Sequence, residues 1–196
     1  MSLTDDDLGH ATQLRTLVRS DARLMGLLRA VRALGLSEWC IAAGAIRNRV
    51  WDHLHGHSEP TLPSDIDVLF YDRTRTDSAY ETEIERRLII AIRSVRWEAV
   101  NQATVHCYTK DTPYDSIEAA MARWADPVTA VGVHLTDADE LRVIAPHGLQ
   151  DLFGLGVRPN LAAPNAMAIY RERIATKQWT KRWPKLTIFA PEDTGM

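Results

Sequence analysis

A short apolar run, Trp39-Cys40-Ile41-Ala42-Ala43, leads into Gly44-Ala45-Ile46-Arg47-Asn48, and Asp65-Ile66-Asp67-Val68 follows a loop further on. This order constrains the chain more than any other feature. Residues 39–43 read as a buried strand that delivers Gly44 to a turn. Ile46, Val50 and Leu54 mark one helical face as far as His55, and Gly56 suits the C-cap. His57 to Ser64 holds two prolines and reads as a loop; Asp65 to Tyr71 reads as a second strand. Side chains alternate along a strand, so Asp65 and Asp67 fall on one face. Paired carboxylates there suit Mg²⁺, which takes a few carboxylates plus phosphate oxygens. A glycine that opens a helix lets phosphate approach the helix-terminal N–H groups.

The rest of the chain reads as αβ in front and a hairpin behind. Leu14, Leu17, Val18, Leu24, Met25, Leu28 and Val31 recur at helical spacing. They predict one N-terminal helix over about 8–34, entered at Thr4-Asp5-Asp6-Asp7 and stopped by Gly35. A helix over 78–93 follows, then one long strand, or two broken by a bulge, over 97–108. A short helix spans 116–124, strands 131–135 and 141–145 form a hairpin around Asp137-Ala138-Asp139, and residues 148–153 make a helical turn. A final helix covers 164–183, stopped by Pro184. The expected architecture is α+β, a mixed sheet with packed helices, in a single domain over 1–196.

Composition excludes several classes. The net charge of −3 gives polyanions no general attraction, and no apolar run approaches the roughly 18 residues needed to cross a bilayer. The acidic N-terminus is unlike a targeting peptide. Cys40 and Cys107, both in apolar strand-like contexts, read as buried free thiols of a cytoplasmic protein.

Ala43-Gly44-Ala45-Ile46-Arg47-Asn48, Leu54-His55-Gly56 and Asp65-Ile66-Asp67 together resemble the nucleotidyltransferase superfamily typified by DNA polymerase beta. They look closest to the signature of tRNA CCA-adding enzymes and the opening of antibiotic nucleotidyltransferases. Further stretches, among them Pro146-His147-Gly148-Leu149-Gln150-Asp151-Leu152-Phe153 and Lys177-Gln178-Trp179-Thr180-Lys181-Arg182-Trp183-Pro184, are similar to a bacterial nucleotidyltransferase-like family whose reaction is not established. The resemblance runs from about Trp39 to Ile188. It implies a nucleotidyltransferase fold and transfer of a nucleoside monophosphate from a nucleoside triphosphate to a hydroxyl. It also implies that Asp65 and Asp67 hold two Mg²⁺ (or Mn²⁺) ions, one activating the acceptor and one bracing the triphosphate. Gly44 and Ala45 would seat phosphate oxygens, although Ala45 stands where the superfamily has serine or glycine.

Active members carry a third acid on a later strand, and Glu98 is the candidate, with Asp72 a second. Without one, the alternative is a non-catalytic nucleotide-binding or regulatory module. Arg47 either grips phosphate or the acid shell, or pairs with an acid such as Asp52. Asn48 suits local hydrogen bonding; Asn101 and Gln102 suit either base or acceptor recognition or a structural network. His53, His55 and His57 straddle a helix end and do not form a zinc set. His106 and His134 read as strand residues. Arg171, Arg173, Lys177, Lys181 and Arg182 with Trp179 and Trp183 form either a basic–aromatic surface for nucleotide or RNA, or a helix anchored by its tryptophans. The acidic net charge favours anchoring, and the length leaves no room for the extended RNA-binding region of CCA-adding enzymes. The acceptor, a small molecule or a macromolecule, is unspecified by the sequence.

Overall fold

The computed structural model describes residues 5–189. Helices α1 (Asp5–Ser20) and α2 (Ala22–Arg32) precede strand β1 (Trp39–Ala42) and helix α3 (Gly44–His55). Strand β2 (Ile66–Phe70) and helix α4 (Ser78–Ala91) lead to β3 (Trp97–Asn101), short helices α5 (His106–Thr109) and α6 (Ile117–Met121), and the hairpin β4 (Gly132–Leu135) and β5 (Leu141–Ile144). Turn-like α7 (Gln150–Phe153), β6 (Gly156–Val157), α8 (Ala166–Lys177), α9 (Trp179–Arg182) and β7 (Thr187–Ile188) complete the chain. The architecture is α+β, as expected.

The main sheet runs β3-β2-β1-β4-β5. Only β2 and β3 pair in parallel, with α4 as their crossover; the other neighbours are antiparallel, so the sheet is mixed. Its two faces are unequal. Trp39, Ile41, Ile66, Val68, Phe70, Trp97, Ala99 and Val133 enter a large core with residues of α1 to α4. The opposite face holds a smaller core of Cys40, Ala42, Leu69, Ile117, Met121 and Ala130. Strand alternation sends Asp67 and Glu98 to that second face. Gly132 permits the β1–β4 approach there, because an added Cβ would lie 2.7 Å from Cys40 Sγ.

Several local expectations are corrected. The helix expected over 8–34 is two helices, because Asp21 leaves helical backbone and accepts the Leu24 N–H at 2.9 Å as the cap of α2. Thr4, part of the expected helix entry, lies outside the described residues. The strand expected over 97–108 ends at Asn101. Its buried amide accepts the N–H groups of Asp72 and Ala103 and donates to the carbonyls of Asp72 and Arg75, turning the chain away from the ladder. His106 and Cys107 therefore lie on α5 rather than in a strand, and Cys107 is exposed; only Cys40 is a buried thiol.

The helix expected over 164–183 breaks at Gln178, which takes left-handed backbone (φ 46°, ψ 43°). The break lets Trp179 and Trp183 both meet Trp51, at 5.5 and 5.0 Å between ring centroids. A second, two-stranded parallel pairing of β6 with β7 was announced by no sequence pattern. No helix among the described residues is long and apolar enough to cross a membrane.

Asn101→Ala would leave four backbone groups at the end of β2 and β3 without their partner. The expected loss is about 3 kcal/mol of unfolding free energy, read by urea denaturation with an unchanged m-value.

Candidate active site

Strand β1 passes into α3 through Ala43, whose backbone (φ 54°, ψ −124°) is one that side-chain-bearing residues rarely adopt. The Ala43 N–H donates to the Val131 carbonyl at 3.1 Å, and its own carbonyl accepts from Ile46 and Arg47 at 3.1 and 2.8 Å. Gly44 and Ala45 thus precede the first intrahelical bonds, and no side chain caps the helix. Gly44 is needed for close approach: an added Cβ would lie 2.9 Å from Pro63 Cβ in the loop opposite. Gly44 lines the cleft, whereas the Ala45 side chain packs in the large core, which leaves only its N–H for a ligand.

The acids come together through strand pairing. Asp67 sits opposite Ala42 on β1 and Glu98 on β3, and Asp65 lies two residues earlier, just before β2 begins. Asp65, Asp67 and Glu98 line one cleft of about 680 Å³ with Gly44 and Arg47. Burial, then the charges of Asp65 and Glu98, push the Asp67 carboxyl up to about 6, while Arg47 and Arg173 pull it back. Asp72, the other candidate third acid, accepts the Thr74 N–H and hydroxyl in an exposed turn and does not line the cleft.

Arg47, Arg173, Lys177 and Arg182 line the opposing wall. Arg47 is 7 % exposed and lies over the rings of Trp51 and Trp179, at 5.0 and 4.6 Å. It donates to Thr129 Oγ1 at 2.9 Å and to Asn48 Oδ1 at 3.0 Å, and its buried Nε–H has no partner. Burial lowers its pKa to about 10, which still leaves it charged at neutral pH. Arg173 donates to the same Thr129 hydroxyl and to buried Asp126, both at 3.0 Å. The alternative pairing of Arg47 with Asp52 does not form: Asp52 is satisfied by Thr61, His57 and Trp183.

Asn48 bridges Arg47 to the Thr61 carbonyl, the local role expected of it. Asn101 and Gln102 lie outside the cleft, and Asn101 is structural. His55 and His57 bond to the Trp51 carbonyl and to Asp52, and His134 Nδ1 lies 3.0 Å from the Trp39 carbonyl. Trp179 and Trp183 are buried anchors, as the anchoring reading expects, and both also border the cleft. Sequence reasoning missed Trp124, Asp126 and Thr129. Only Asp126 announces itself, as a turn former whose carboxylate accepts the Thr129 N–H three residues on.

Among the described residues, no three His, Cys, Asp or Glu side chains form a ready-made metal cluster. The donor set still fits Mg²⁺. It offers hard carboxylate oxygens in excess of any local cation on the sheet side, and Mg²⁺ completes its shell with water and phosphate rather than an all-protein cage.

A family model described as nucleotidyltransferase matches residues 29–188. Similar solved structures include an NMR structure described as revealing a CCA-adding enzyme head domain. It is 28% identical with a TM-score of 0.80, over 92% of this chain and 96% of that one. A CCA-adding enzyme solved with CTP is 14% identical (TM-score 0.59), and the Thermotoga maritima CCA-adding enzyme complexed with tRNA_CCA is 16% identical (TM-score 0.57). Each of these two aligns over 92% of this chain, which spans only 43% and 42% of their respective lengths. No curated protein sequence matches. The five-stranded sheet and its helices have the nucleotidyltransferase fold, and the chain belongs to the nucleotidyltransferase family.

Proposed function

We propose that the protein is an enzyme that transfers a nucleoside monophosphate from an Mg²⁺- or Mn²⁺-bound nucleoside triphosphate to a hydroxyl acceptor, acting as one nucleotidyltransferase-like domain. One observation carries this reading: three carboxylates and four cations line a single cleft at an uncapped helix start. Acids suit the metal and cations suit the phosphates, so the two walls divide a metal–nucleotide between them.

Asp65 and Asp67 would hold the metal ions, which when bound supply charge neutralisation and acidify the acceptor hydroxyl. The N–H groups of Gly44 and Ala45 and the guanidinium of Arg47 bind and orient the triphosphate. Lys177 and Arg182 offset the charge that accumulates on departing pyrophosphate. The acceptor oxygen bonds to the α-phosphorus as the bond from that phosphorus to the β-bridging oxygen breaks. Glu98, the third acid, takes the hydroxyl proton. Glu98 beside Asp67 favours an enzyme over the non-catalytic nucleotide-binding module. The unpaired thiols of Cys40 and Cys107 support a reducing, cytoplasmic setting.

A thermal-shift titration with ATP, GTP, CTP and UTP should show a Mg²⁺-dependent rise in Tm for at least one nucleotide. Asp65→Asn/Asp67→Asn should abolish it. With that nucleotide labelled at the α-phosphate, Glu98→Gln should retain the shift but lose transfer by about 100-fold or more. Shift without transfer to any acceptor would return the binding-module reading. Gly44→Ala, whose Cβ meets Pro63, should weaken nucleotide binding about tenfold while the fold persists.

Asp67 also sets a pH signature. Its folded-state pKa of about 6 lies above the ordinary 3.8, so between those values the folded state holds more protons than the unfolded one. Stability contributed by this group therefore falls as pH rises from about 4 to about 6. Without metal, Asp67→Asn should gain nothing at pH 4 and about 2 kcal/mol over wild type above pH 6, after allowance for screening. Calorimetry across that range reads the difference, and saturating Mg²⁺ should shrink it.

A further inference from the structure

A second cavity, of about 430 Å³, adjoins the cleft and shares Trp124, Thr129 and Arg173 with it. Its size falls within the range of small-molecule sites. Val105, Tyr108, Trp124, Pro164 and Ile169 give it an apolar lining. Two of these are conspicuous at its mouth: Tyr108 is 81 % exposed and Ile169 41 %, large apolar surface left in water.

The charges around it are mostly spent. Arg123 is paired with Asp111 at 2.6 Å and Arg173 with Asp126 at 3.0 Å. Lys110 is the lining cation that makes no ion pair with any described residue. Lys110 and Asn165, both lining it, hold left-handed backbone (φ 56° and 51°). Such conformations cost roughly 1–3 kcal/mol each and cluster where ligands bind.

We propose that this cavity is the acceptor subsite, and that its acceptor is a small hydroxyl-bearing molecule with an apolar or aromatic body and one anionic group. The inference rests on the transferase reading above. The shared wall of Trp124, Thr129 and Arg173 lets a molecule seated here present its hydroxyl to the cleft. Tyr108, Trp124 and Ile169 hold its body, and the Lys110 ammonium takes its anion. An RNA end would instead need several unpaired cations for successive phosphates, and this cavity offers one.

The test uses 3-hydroxy-2-naphthoate as probe, followed by ¹⁵N–¹H NMR titration of the full chain. Saturable shifts are expected at residues 105–110, 123–126 and 164–169. Ile169→Asp should weaken binding about tenfold, with its own spectrum reporting that the fold persists. Lys110→Ala should weaken naphthoate about threefold and leave uncharged 2-naphthol unaffected. Asp67→Asn should leave naphthoate binding unchanged, and Mg²⁺–ATP and naphthoate should bind together.

Absent or scattered shifts, indifference to Ile169→Asp, or competition between naphthoate and Mg²⁺–ATP would overturn the proposal. So would a single-stranded RNA oligonucleotide that produces the same shifts at lower concentration than naphthoate. Failure of naphthoate while Mg²⁺–ATP still binds sinks this inference alone. Failure of ATP, GTP, CTP and UTP alike with Mg²⁺, while naphthoate still binds, sinks the transferase reading and, with it, the acceptor assignment.

Discussion

Asp52, 3 % exposed in the middle of α3, ties three separate parts of the chain together. One of its oxygens accepts the Thr61 hydroxyl at 2.7 Å, the Trp183 indole at 2.9 Å and His57 Nδ1 at 3.0 Å; the other accepts the Thr61 N–H at 2.6 Å. Burial opposes ionisation, but these donors together hold the carboxyl below its ordinary value. The Thr61 hydroxyl in turn accepts from Arg182 at 2.7 Å. The 57–64 loop and the α9 segment are thereby fixed against α3, and with them Pro63, Trp179, Arg182 and Trp183 along the cleft. Removing one partner from so buried a charge is costly, because the remaining donors lose their acceptor together.

The cleft is built as opposed electrostatic halves. Its acids come from β2, the residue just before it, and β3; parallel pairing sets Asp67 beside Glu98, and burial, then the neighbouring acids, push Asp67 toward protonation. Its cations come from α3, α8 and α9, and two of them meet at the Thr129 hydroxyl. Neither half neutralises the other by direct ion pairing: Arg47 has no carboxylate partner among its hydrogen bonds, and Arg173 spends its charge on Asp126. Charge left uncompensated on both walls is what a ligand carrying both signs can relieve.

The β1–α3–β2 passage was legible because its signals are local. Burial of residues 39–42, the Gly44 turn, the Gly56 cap and the Asp-x-Asp spacing each span a few residues. Glu98 was legible as a strand acid, but its pairing with Asp67 follows only from the parallel register of β2 and β3. What escaped depends on contacts between distant segments. The strand looked continuous past Asn101 because nothing nearby says that its amide bonds across to Asp72 and Arg75. Gln178 breaks the last helix because two tryptophans must reach Trp51, a requirement of packing rather than of propensity. The Asp126–Thr129–Arg173 set joins residues far apart in the chain, and no periodicity marks it.

Arg47 apart, the two walls of the cleft are also separated in time of synthesis. The acid floor lies within residues 65–98, whereas Arg173, Lys177, Trp179 and Arg182 follow most of the chain. A nascent chain can lay down Arg47, the carboxylates and their sheet long before the cations of α8 and α9 and the tryptophans that meet Trp51 leave the ribosome. The cleft is therefore among the last parts of the molecule to be completed, and premature termination after the hairpin would leave its acids without the cations of α8 and α9.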